Sequence, residues 1–267
     1  DLQGASDSGA SSTDNITNIT SPVFTLASPG ANYHRFYRGG TKIADYLTGT
    51  TYTAAGQTDG AWSYQESFVD AAGNESAAGP ALAVAIDTVA PTLLSAASRK
   101  THGSAGTFDL ALNLGDATTA TVEPRRNAAG DLLVFNFSES ITGSAGTVSA
   151  MQFPATNAAF TAAATSAGVL TLTLNSATDA SVVSVGLNGL FDVAGNALAG
   201  TTVVYLRVLD GDVNQTTSVS VSDLQGVKNH LLEDVTAGNF LFDVNVSGGI
   251  SVSDLQEVKN HLLNGVA

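Results

Sequence analysis

The sequence has no cysteine, so its domains are not braced by disulfides and metals bound through thiolates are excluded. Charged residues make up only 13% of the 267 residues, and the ten basic residues face 24 acidic ones, which gives a formal net charge of −14. This balance argues against nucleic acids and anionic membranes as partners, because both demand a positive face, and it suits a protein that binds divalent cations. No apolar run approaches the length of a transmembrane helix, so we expect no membrane insertion.

Motifs of common enzyme classes are also missing from the sequence. There is no nucleophile elbow, zinc-protease motif or P-loop, and none of the six glutamates stands in a recognisable motif. His34 and His102 stand in unrelated contexts, whereas His230 and His261 occupy equivalent positions of a repeat. Trp62, the single tryptophan, is interpreted as a core residue and not as a sugar platform. We therefore expect a protein without catalytic activity.

Short runs of alternating polar and apolar residues fill the first two hundred residues or so, at the spacing of roughly ten residues that is typical of β-sandwiches. Abundant alanine, serine, threonine, valine and glycine suit an extracellular all-β protein. The residues that the alternation assigns to the interior are Trp62, Tyr64 and Phe68; Leu82, Val84 and Ile86; Leu133, Phe135 and Phe137; Leu170, Leu172 and Leu174; and Val183, Val185 and Leu187.

Three domains are predicted, at residues 1–90, 91–208 and 209–267. Pro91 marks the first boundary because proline cannot continue a strand ladder. The first two segments share the turn Asp-x-Ala-Gly-Asn, at Asp70 and Asp192, which we interpret as a common hairpin corner. After residue 209 the apolar period becomes helical, and it does so twice: in Leu224, Val227, Leu231 and Leu232, and in Leu255, Val258, Leu262 and Leu263.

A twelve-residue pattern from Asp243 to Asp254 nearly repeats one that lies 31 residues earlier, from Asp212 to Asp223. Calcium takes six to eight oxygen ligands, and a twelve-residue loop with ligands at positions 1, 3, 5, 7 and 12 wraps one ion. Gly248 at position 6 permits a sharp turn, and Ile250 at position 8 anchors the loop. In the second copy those five ligand positions hold Asp243, Asn245, Ser247, the carbonyl of Gly249, and Asp254 as the first residue of the helix.

The first copy departs from this pattern at position 6, where Thr217 replaces glycine. A β-branched residue is strained at positive φ, and Thr216 at position 5 is a neutral ligand, so we expect weaker or geometrically altered binding. Helix capping alone is the competing interpretation, but it does not demand the spacing Asp-x-Asn-x-Ser/Thr. The ligands of the first copy are Asp212, Asn214, Thr216, the carbonyl of Ser218, and Asp223.

Residues 212–263 resemble a type I dockerin, since each loop leads into Asp-Leu-Gln-x-Val-Lys-Asn-His-Leu-Leu. The resemblance implies that Ca²⁺, one ion in each loop, folds the module. It also implies binding to a cohesin domain through a helix face and loop positions 10 and 11. The matching positions are Val221, Ser222, Val252 and Ser253, and the helix residues that we add to the contact are Lys228, Asn229, His230, Lys259, Asn260 and His261.

The first segment, with SDSGASSTDNITN, DAAGNES and IDTVAPT, resembles the Ig-like repeats of large bacterial surface adhesins. Calcium often stiffens the junctions of such repeats, which implies Asp7, Asp14 and Asp87 as candidate interdomain ligands; turn and cap roles account for them equally well. The second segment, opening SRKTHGSAGTFDLAL, is similar to a β-sandwich that precedes dockerin-like repeats in secreted planctomycete and verrucomicrobial proteins. Its basic residues, interpreted as solvated charge in preference to contacts with an acidic neighbour, are Arg99, Lys100, Arg125 and Arg126.

The predicted fold class is mainly β: two tandem Ig-like or β-sandwich domains followed by a small all-α, calcium-binding, dockerin-like domain. We expect a secreted or cell-surface structural protein whose terminal module docks onto a protein partner. That partner is either a cohesin-like domain or another copy of the chain, which would give a head-to-tail filament because heterologous contacts that do not close propagate. A carbohydrate-binding accessory role is the third alternative.

Overall fold

The structure, a computed structural model, describes residues 1–27, 33–126, 130–142, 149–153, 160–175 and 177–266. Across these residues the chain is mainly β, as predicted. The strands are β1 (Ile16–Thr17), β2 (Val23–Thr25), β3 (Tyr33–Arg38), β4 (Thr41–Leu47), β5 (Thr51–Thr53), β6 (Gly60–Val69), β7 (Leu82–Ile86), β8 (Leu93–His102), β9 (Gly106–Leu112), β10 (Thr121–Glu123), β11 (Asp131–Phe137), β12 (Ile141–Thr142), β13 (Ser149–Phe153), β14 (Phe160–Ser166), β15 (Val169–Leu174), β16 (Ser181–Gly186), β17 (Phe191–Asp192) and β18 (Val203–Val208). The α-helices are α1 (Val221–Asn229) and α2 (Val252–Asn260).

The chain divides into two compact units. The first comprises Asp1–Pro91 together with Phe191–Ala197, and the second comprises Thr92–Leu190 together with Leu198–Ala267. The predicted boundary at residue 209 falls inside the second unit, so the second sandwich and the helical segment are described together. The division into three domains stays a prediction.

The first unit is built on a sheet in the order β1-β7-β6-β3-β4, with β2 and β5 paired separately. Phe24, Phe36 and Tyr64 pack tightly in its core, with ring centroids 4.6–5.8 Å apart. Trp62, predicted to be a core residue, is only half-buried, and its indole N–H donates to the carbonyl of Thr58 at 2.8 Å.

The predicted interior set of β6 is wrong at Phe68. Ser67 and Val69 are buried on either side of it, whereas Phe68 is half-buried and packs edge-on against His34, with ring centroids 5.7 Å apart. Both faces of β6 are covered at this end, so the alternation that describes its first half does not continue.

The second unit contains a β-sandwich. One sheet has the order β14-β15-β11-β8-β9 and is antiparallel throughout; the other has the order β10-β18-β16-β13, in which β10 runs parallel to β18. The predicted interior residues of β11, β15 and β16 are confirmed, because they share one core between the sheets: Leu133, Phe135, Phe137, Leu170, Leu172, Leu174, Val183, Val185 and Leu187.

The helical segment of this unit packs onto the sandwich through a second apolar cluster. Val227 of α1 and Val258 of α2 are fully buried in it, and Val122 of β10 joins them. Phe108 of β9 stacks on Phe240 with ring centroids 5.5 Å apart and planes inclined by 8°. This second cluster therefore combines residues of the sandwich and of the helical segment.

Both helices end earlier than their apolar period predicts. Leu232 and Leu263, placed on the buried face by the pattern, lie beyond the helices at φ +69° and +73° and are 91% and 95% exposed. The amide of Leu232 donates to the carbonyl of Ile250 at 2.9 Å, and that of Leu263 to the carbonyl of Val219 at 3.0 Å. The chain leaves each helix because it pairs there with position 8 of the other loop.

Among the residues described, no helix has the length and apolar character of a membrane span.

Glu75 connects three side chains of the first unit. Its Oε1 accepts hydrogen bonds from Ser67 at 2.5 Å and from Tyr37, and its Oε2 accepts one from Arg35 at 2.5 Å. These three bonds lower the pKa of Glu75 from 4.5 to about 2. Because the folded-state pKa is depressed, the stabilisation is complete above pH 4.5 and is lost as the pH falls towards 2.

Replacing Glu75 by glutamine is expected to lower the unfolding temperature of the first unit at neutral pH. The deficit relative to wild type is expected to shrink between about pH 4.5 and pH 2, because the wild-type carboxylate is protonated over that range. The fluorescence of Trp62, the only tryptophan, reports the transition of this unit. A deficit of equal size at neutral and at acidic pH would contradict the assignment.

Candidate functional site

Each helix of the second unit begins with a capping box that belongs to one of the repeated loops. Ser220 caps α1 and Ser251 caps α2. The carboxylates of Asp223 and Asp254 accept the amides of these caps, each at 2.9 Å. Position 12 of each loop is therefore the third residue of its helix, and not the first as predicted for Asp254, because the cap and two further residues precede it.

The two loops fold with the same hydrogen-bond pattern around the carboxylate at position 1. In the first loop, Asp212 accepts the amides of Thr216 at 3.0 Å and Thr217 at 2.7 Å. In the second, Asp243 accepts the amides of Ser247 at 3.0 Å and Gly248 at 2.9 Å. The local fold of both loops is thus fixed by the repeated sequence.

Further oxygens of the loops cluster in the same way. The hydroxyl at position 5 lies 3.4 Å from the carbonyl at position 7, as Thr216 to Ser218 in one loop and Ser247 to Gly249 in the other. The amide of position 3 donates to the carboxylate of position 12 at 3.1 Å in both loops. The predicted ligand positions are therefore grouped within each loop.

Position 6 takes a positive φ in both loops, at +69° for Thr217 and +94° for Gly248. Thr217 thus adopts the conformation that is strained for a β-branched residue. Its amide N–H donates a hydrogen bond to the carboxylate of Asp212 at 2.7 Å. Weaker metal binding by the first loop stays a prediction.

The donor set fits a calcium ion. Asp212, Asp223, Asp243 and Asp254 are each 0% exposed. In the first loop their hydrogen-bond donors are neutral amides and the hydroxyl of Ser220. Burial raises the pKa of Asp212 and of Asp254, and the second carboxylate of each loop raises it further. Two buried carboxylates held by neutral donors, beside amide, hydroxyl and carbonyl oxygens, form a site suited to a hard divalent cation.

One residue at this site was missed by sequence reasoning. His102, at the end of β8, is 0% exposed, and its Nδ1 lies 2.9 Å from Oδ2 of Asp243. The two residues are 141 positions apart, and no motif connects them. The only sequence signal was a histidine beside a glycine in a hairpin, which is too common to single out.

A shallow groove between α1 and α2 is lined by matching residues of the two repeats. Val221 and Val252 at its edges are 73% and 72% exposed, and Leu224 and Leu255 between them are half-buried. The complete lining is Val221, Leu224, Gln225, Lys228, Val252, Leu255, Gln256 and Lys259. Predicted partner-binding residues from both repeats are thereby brought to one surface.

Ser222 and Ser253, at loop position 11, connect this surface to the loops. The side-chain amide of Asn214 donates to Ser222 Oγ at 2.7 Å, and that of Asn245 donates to Ser253 Oγ at 2.7 Å. The oxygens of the same two amides accept loop amides at 3.2 and 3.0 Å. In each repeat, therefore, an asparagine that is a predicted metal ligand donates a hydrogen bond to a predicted docking serine.

The two repeat histidines lie apart from the groove. His230 stacks on Phe242 with ring centroids 3.9 Å apart, and its Nδ1 lies 2.9 Å from the carbonyl of Gly226. His261 is placed equivalently on the carbonyl of Glu257 at 3.0 Å. Both rings are half-buried at their helix ends, and their role in partner binding stays a prediction.

The three acidic residues proposed for domain junctions are only partly brought together. Asp7 is 5% exposed and accepts the amide of Asn15 at 3.1 Å. Its pKa is raised by burial, and the adjacent Asp14 carboxylate adds to the rise. Asp87 instead accepts the amide of Val89 at 3.0 Å. A shared cation for these three residues stays a prediction.

The expectation of solvated charge is wrong for two of the four basic residues of the sandwich. Lys100 is 7% exposed and lies 2.6 Å from Asp131, and Arg125 is 0% exposed and lies 2.7 Å from Glu123. Arg126, which is exposed, lies 2.5 Å from Glu257 on α2 of the same chain. Each of these three side chains forms an ion pair with an acidic residue of the same chain, at sequence separations of up to 131 positions.

Comparison with known families identifies the two ends of the chain. Residues 1–88 match the model of a bacterial Ig-like domain, and residues 210–263 match the model of the dockerin type I domain. The chain therefore contains a bacterial Ig-like domain followed, after the second sandwich, by a type I dockerin domain, which is a calcium-binding and protein-binding module. A comparison with curated proteins gave no match.

Two solved structures show a distant likeness to this chain. Fibronectin(III)-like modules of Clostridium thermocellum CbhA are 12% identical, with a TM-score of 0.34 over 73% of this chain and 87% of that one. The BSP domain of a biofilm-associated protein is 10% identical, with a TM-score of 0.21 over 74% of this chain and 28% of that one. Neither likeness is strong enough to support a functional inference.

Removing calcium is expected to unfold α1 and α2, because the carboxylates in the first turn of both helices then lie buried without a cation. The full chain is expected to bind two Ca²⁺ ions by calorimetry, and Asp212→Ala and Asp243→Ala one ion each. Hydrogen exchange of the two helices, with far-UV circular dichroism, measures the unfolding. Asp234→Ala is the control, since Asp234 is an exposed acid of the same segment outside both loops. Helices that are unchanged in excess chelator would refute the calcium assignment.

Proposed function

We propose that this chain is a non-catalytic assembly protein of the cell surface or the secreted fraction. Its calcium-folded dockerin domain docks onto a cohesin-like domain of another protein, and the two β-sandwiches act as spacers. The family matches at the two ends support a docking protein of this general kind. The surface that we assign to docking is the groove between α1 and α2.

A single observation carries this assignment: the groove presents the same residues twice. Valine, leucine, glutamine and lysine from α1 are matched by valine, leucine, glutamine and lysine from α2. Val221 and Val252 remain more than two-thirds exposed although both are apolar. Exposed apolar side chains collected in one groove mark an interaction surface more often than scattered ones do.

The chemistry of the groove indicates its partner. Residues 209–267 contain eight acidic residues and two lysines, and both lysines, Lys228 and Lys259, line the groove. A fitting partner therefore offers an apolar surface with carboxylates at its rim. Because the serines of the docking surface are bonded to loop asparagines, loss of calcium would disorder that surface together with the loops.

The alternatives are a self-assembling filament and a carbohydrate-binding accessory protein. Calcium-dependent growth in mass of the purified chain, with no partner added, would replace the cohesin-like partner by another copy of the chain. Binding to a glycan array that persists after both valines are replaced would favour the carbohydrate role.

Replacing both valines by aspartate is expected to weaken binding to a type I cohesin domain by about 30-fold or more, the loss from a hot spot of about 2 kcal/mol. Either Val221→Asp or Val252→Asp alone is expected to cost much less, since the matching valine of the other repeat remains in the groove. Calorimetry of the full chain against a panel of type I cohesin domains measures the affinities.

Leu232→Asp with Leu263→Asp is the matched control for this experiment. These leucines are also exposed and repeat-equivalent, but they lie outside the groove. A large loss from the leucine pair with none from the valine pair would show that docking uses another surface.

A further inference from the structure

His102 gives the second loop a polar contact from outside the helical segment. Its Nδ1 lies 2.9 Å from Oδ2 of Asp243, and both side chains are fully buried. On the other side of the ring, Nε2 lies 3.3 Å from Nη1 of Arg125. Because a guanidinium only donates, Nε2 is the acceptor, so Nδ1 carries the proton and donates it to the carboxylate.

Arg125 is itself fixed by the sandwich. Its Nε and Nη2 each donate to the carboxylate of Glu123 at 2.7 Å, and Nη2 also donates to the carbonyl of Ser98 at 2.9 Å. Its guanidinium lies 5.1 Å from the ring centroid of Phe240. A buried chain therefore runs from Glu123 through Arg125 and His102 to the first ligand position of the loop.

The main chain of the second loop also packs closely against the hairpin between β8 and β9. A Cβ on Gly103 would lie 2.2 Å from the carbonyl oxygen of Ser247, and a Cβ on Gly248 would lie 2.8 Å from that of His102. The amide of Arg126 donates to the carbonyl of Val244 at 2.7 Å. Gly248 at position 6 thus satisfies two demands, a positive φ of +94° and close contact with the hairpin between β8 and β9.

Within the described part of the chain, the carboxylate at the first ligand position of the first loop has no such contact with the sandwich. Asp212 accepts hydrogen bonds from the amides of Thr216 and Thr217, which belong to its own loop. Position 6 is threonine there, so the departure from glycine falls in the loop that does not meet the hairpin. The two repeats, which are similar in sequence, are placed in different surroundings.

We propose that the second calcium site is a composite of the dockerin loop and the preceding sandwich, with His102 as the positioning residue for Asp243. The imidazole orients the carboxylate from the second coordination shell, as the partners of metal ligands generally do. Calcium held by the second loop then also holds the hairpin between β8 and β9. This inference rests on the proposed binding of calcium by that loop.

Replacing His102 by leucine is expected to weaken calcium binding at the second site alone, by about 10- to 100-fold. His102→Asn is expected to restore most of the affinity, because the asparagine Nδ2 occupies the place of the imidazole Nδ1. Calcium chloride titrations of the full chain by calorimetry, in Asp212→Ala and Asp243→Ala backgrounds, separate the two sites.

Hydrogen exchange adds a readout that does not depend on affinity. Calcium is expected to protect the amides of residues 98–109 in the wild-type chain, and this protection is expected to be lost in His102→Leu at saturating calcium. Protection confined to residues 209–267 in the wild type would overturn the proposal.

A glycine pair tests the contact without changing His102. Gly103→Ala places a methyl group against Ser247, whereas Gly106→Ala, in the same hairpin and also at positive φ, meets no atom within 4 Å. Both variants place alanine at positive φ, so both carry backbone strain. Gly103→Ala is expected to lower the calcium affinity more than Gly106→Ala does. Equal effects of the two would overturn the proposal.

The control outcomes separate this inference from the proposed function. A wild-type second loop that binds no calcium would refute the calcium assignment and the inference with it. A second loop that binds calcium with the same affinity in wild type and His102→Leu would refute the composite site and leave the docking proposal intact.

Discussion

Four buried carboxylates determine how the C-terminal part of this chain is organised. Each loop places two of them away from solvent, at positions 1 and 12, and surrounds them mostly with neutral donors. Charge in such a place is stabilised by a cation or by a protonated partner, and by little else. The carboxylate at position 12 also completes the capping box of a helix, in which the N-cap serine contributes about 1 kcal/mol. The loop carboxylates, the helix starts and the surface that we propose for docking are therefore parts of one arrangement.

Local sequence patterns predicted the parts of this structure that short-range chemistry controls. The loops and the helices after them follow from a twelve-residue spacing and a repeated helical period. The interior residues of β11, β15 and β16 follow from alternation, because one face of each strand lines the core between the two sheets. Where a strand end is covered on both faces, as at Phe68, alternation no longer predicts burial. The helix ends were predicted too late because a leucine pattern does not reveal that the backbone pairs with a distant loop.

Contacts between distant segments were beyond that reasoning. Lys100 and Arg125 looked like surface charge, and only the assembled sheet brings Asp131 beside the lysine and the carbonyl of Ser98 beside the arginine. His102 carries no mark in the sequence, since its partner is 141 residues away and the geometry that aligns them comes from the packing of a hairpin on a loop. Likewise, threonine in place of glycine at position 6 of the first loop indicated, from sequence alone, only a weaker or geometrically altered calcium site. The structure relates glycine at this position to the close approach of a neighbouring backbone.

The shared apolar cluster of Val122, Phe108 and Phe240 has a mechanical consequence. A docking domain on a flexible tether lets its cargo swing, and tension reaches the bound partner from any direction. Here the helical segment that carries the proposed docking groove shares an apolar cluster with the sandwich, so a force on a partner bound there would reach the sandwich through that packing. The force that the contact with the partner withstands would then depend on the direction in which it is applied.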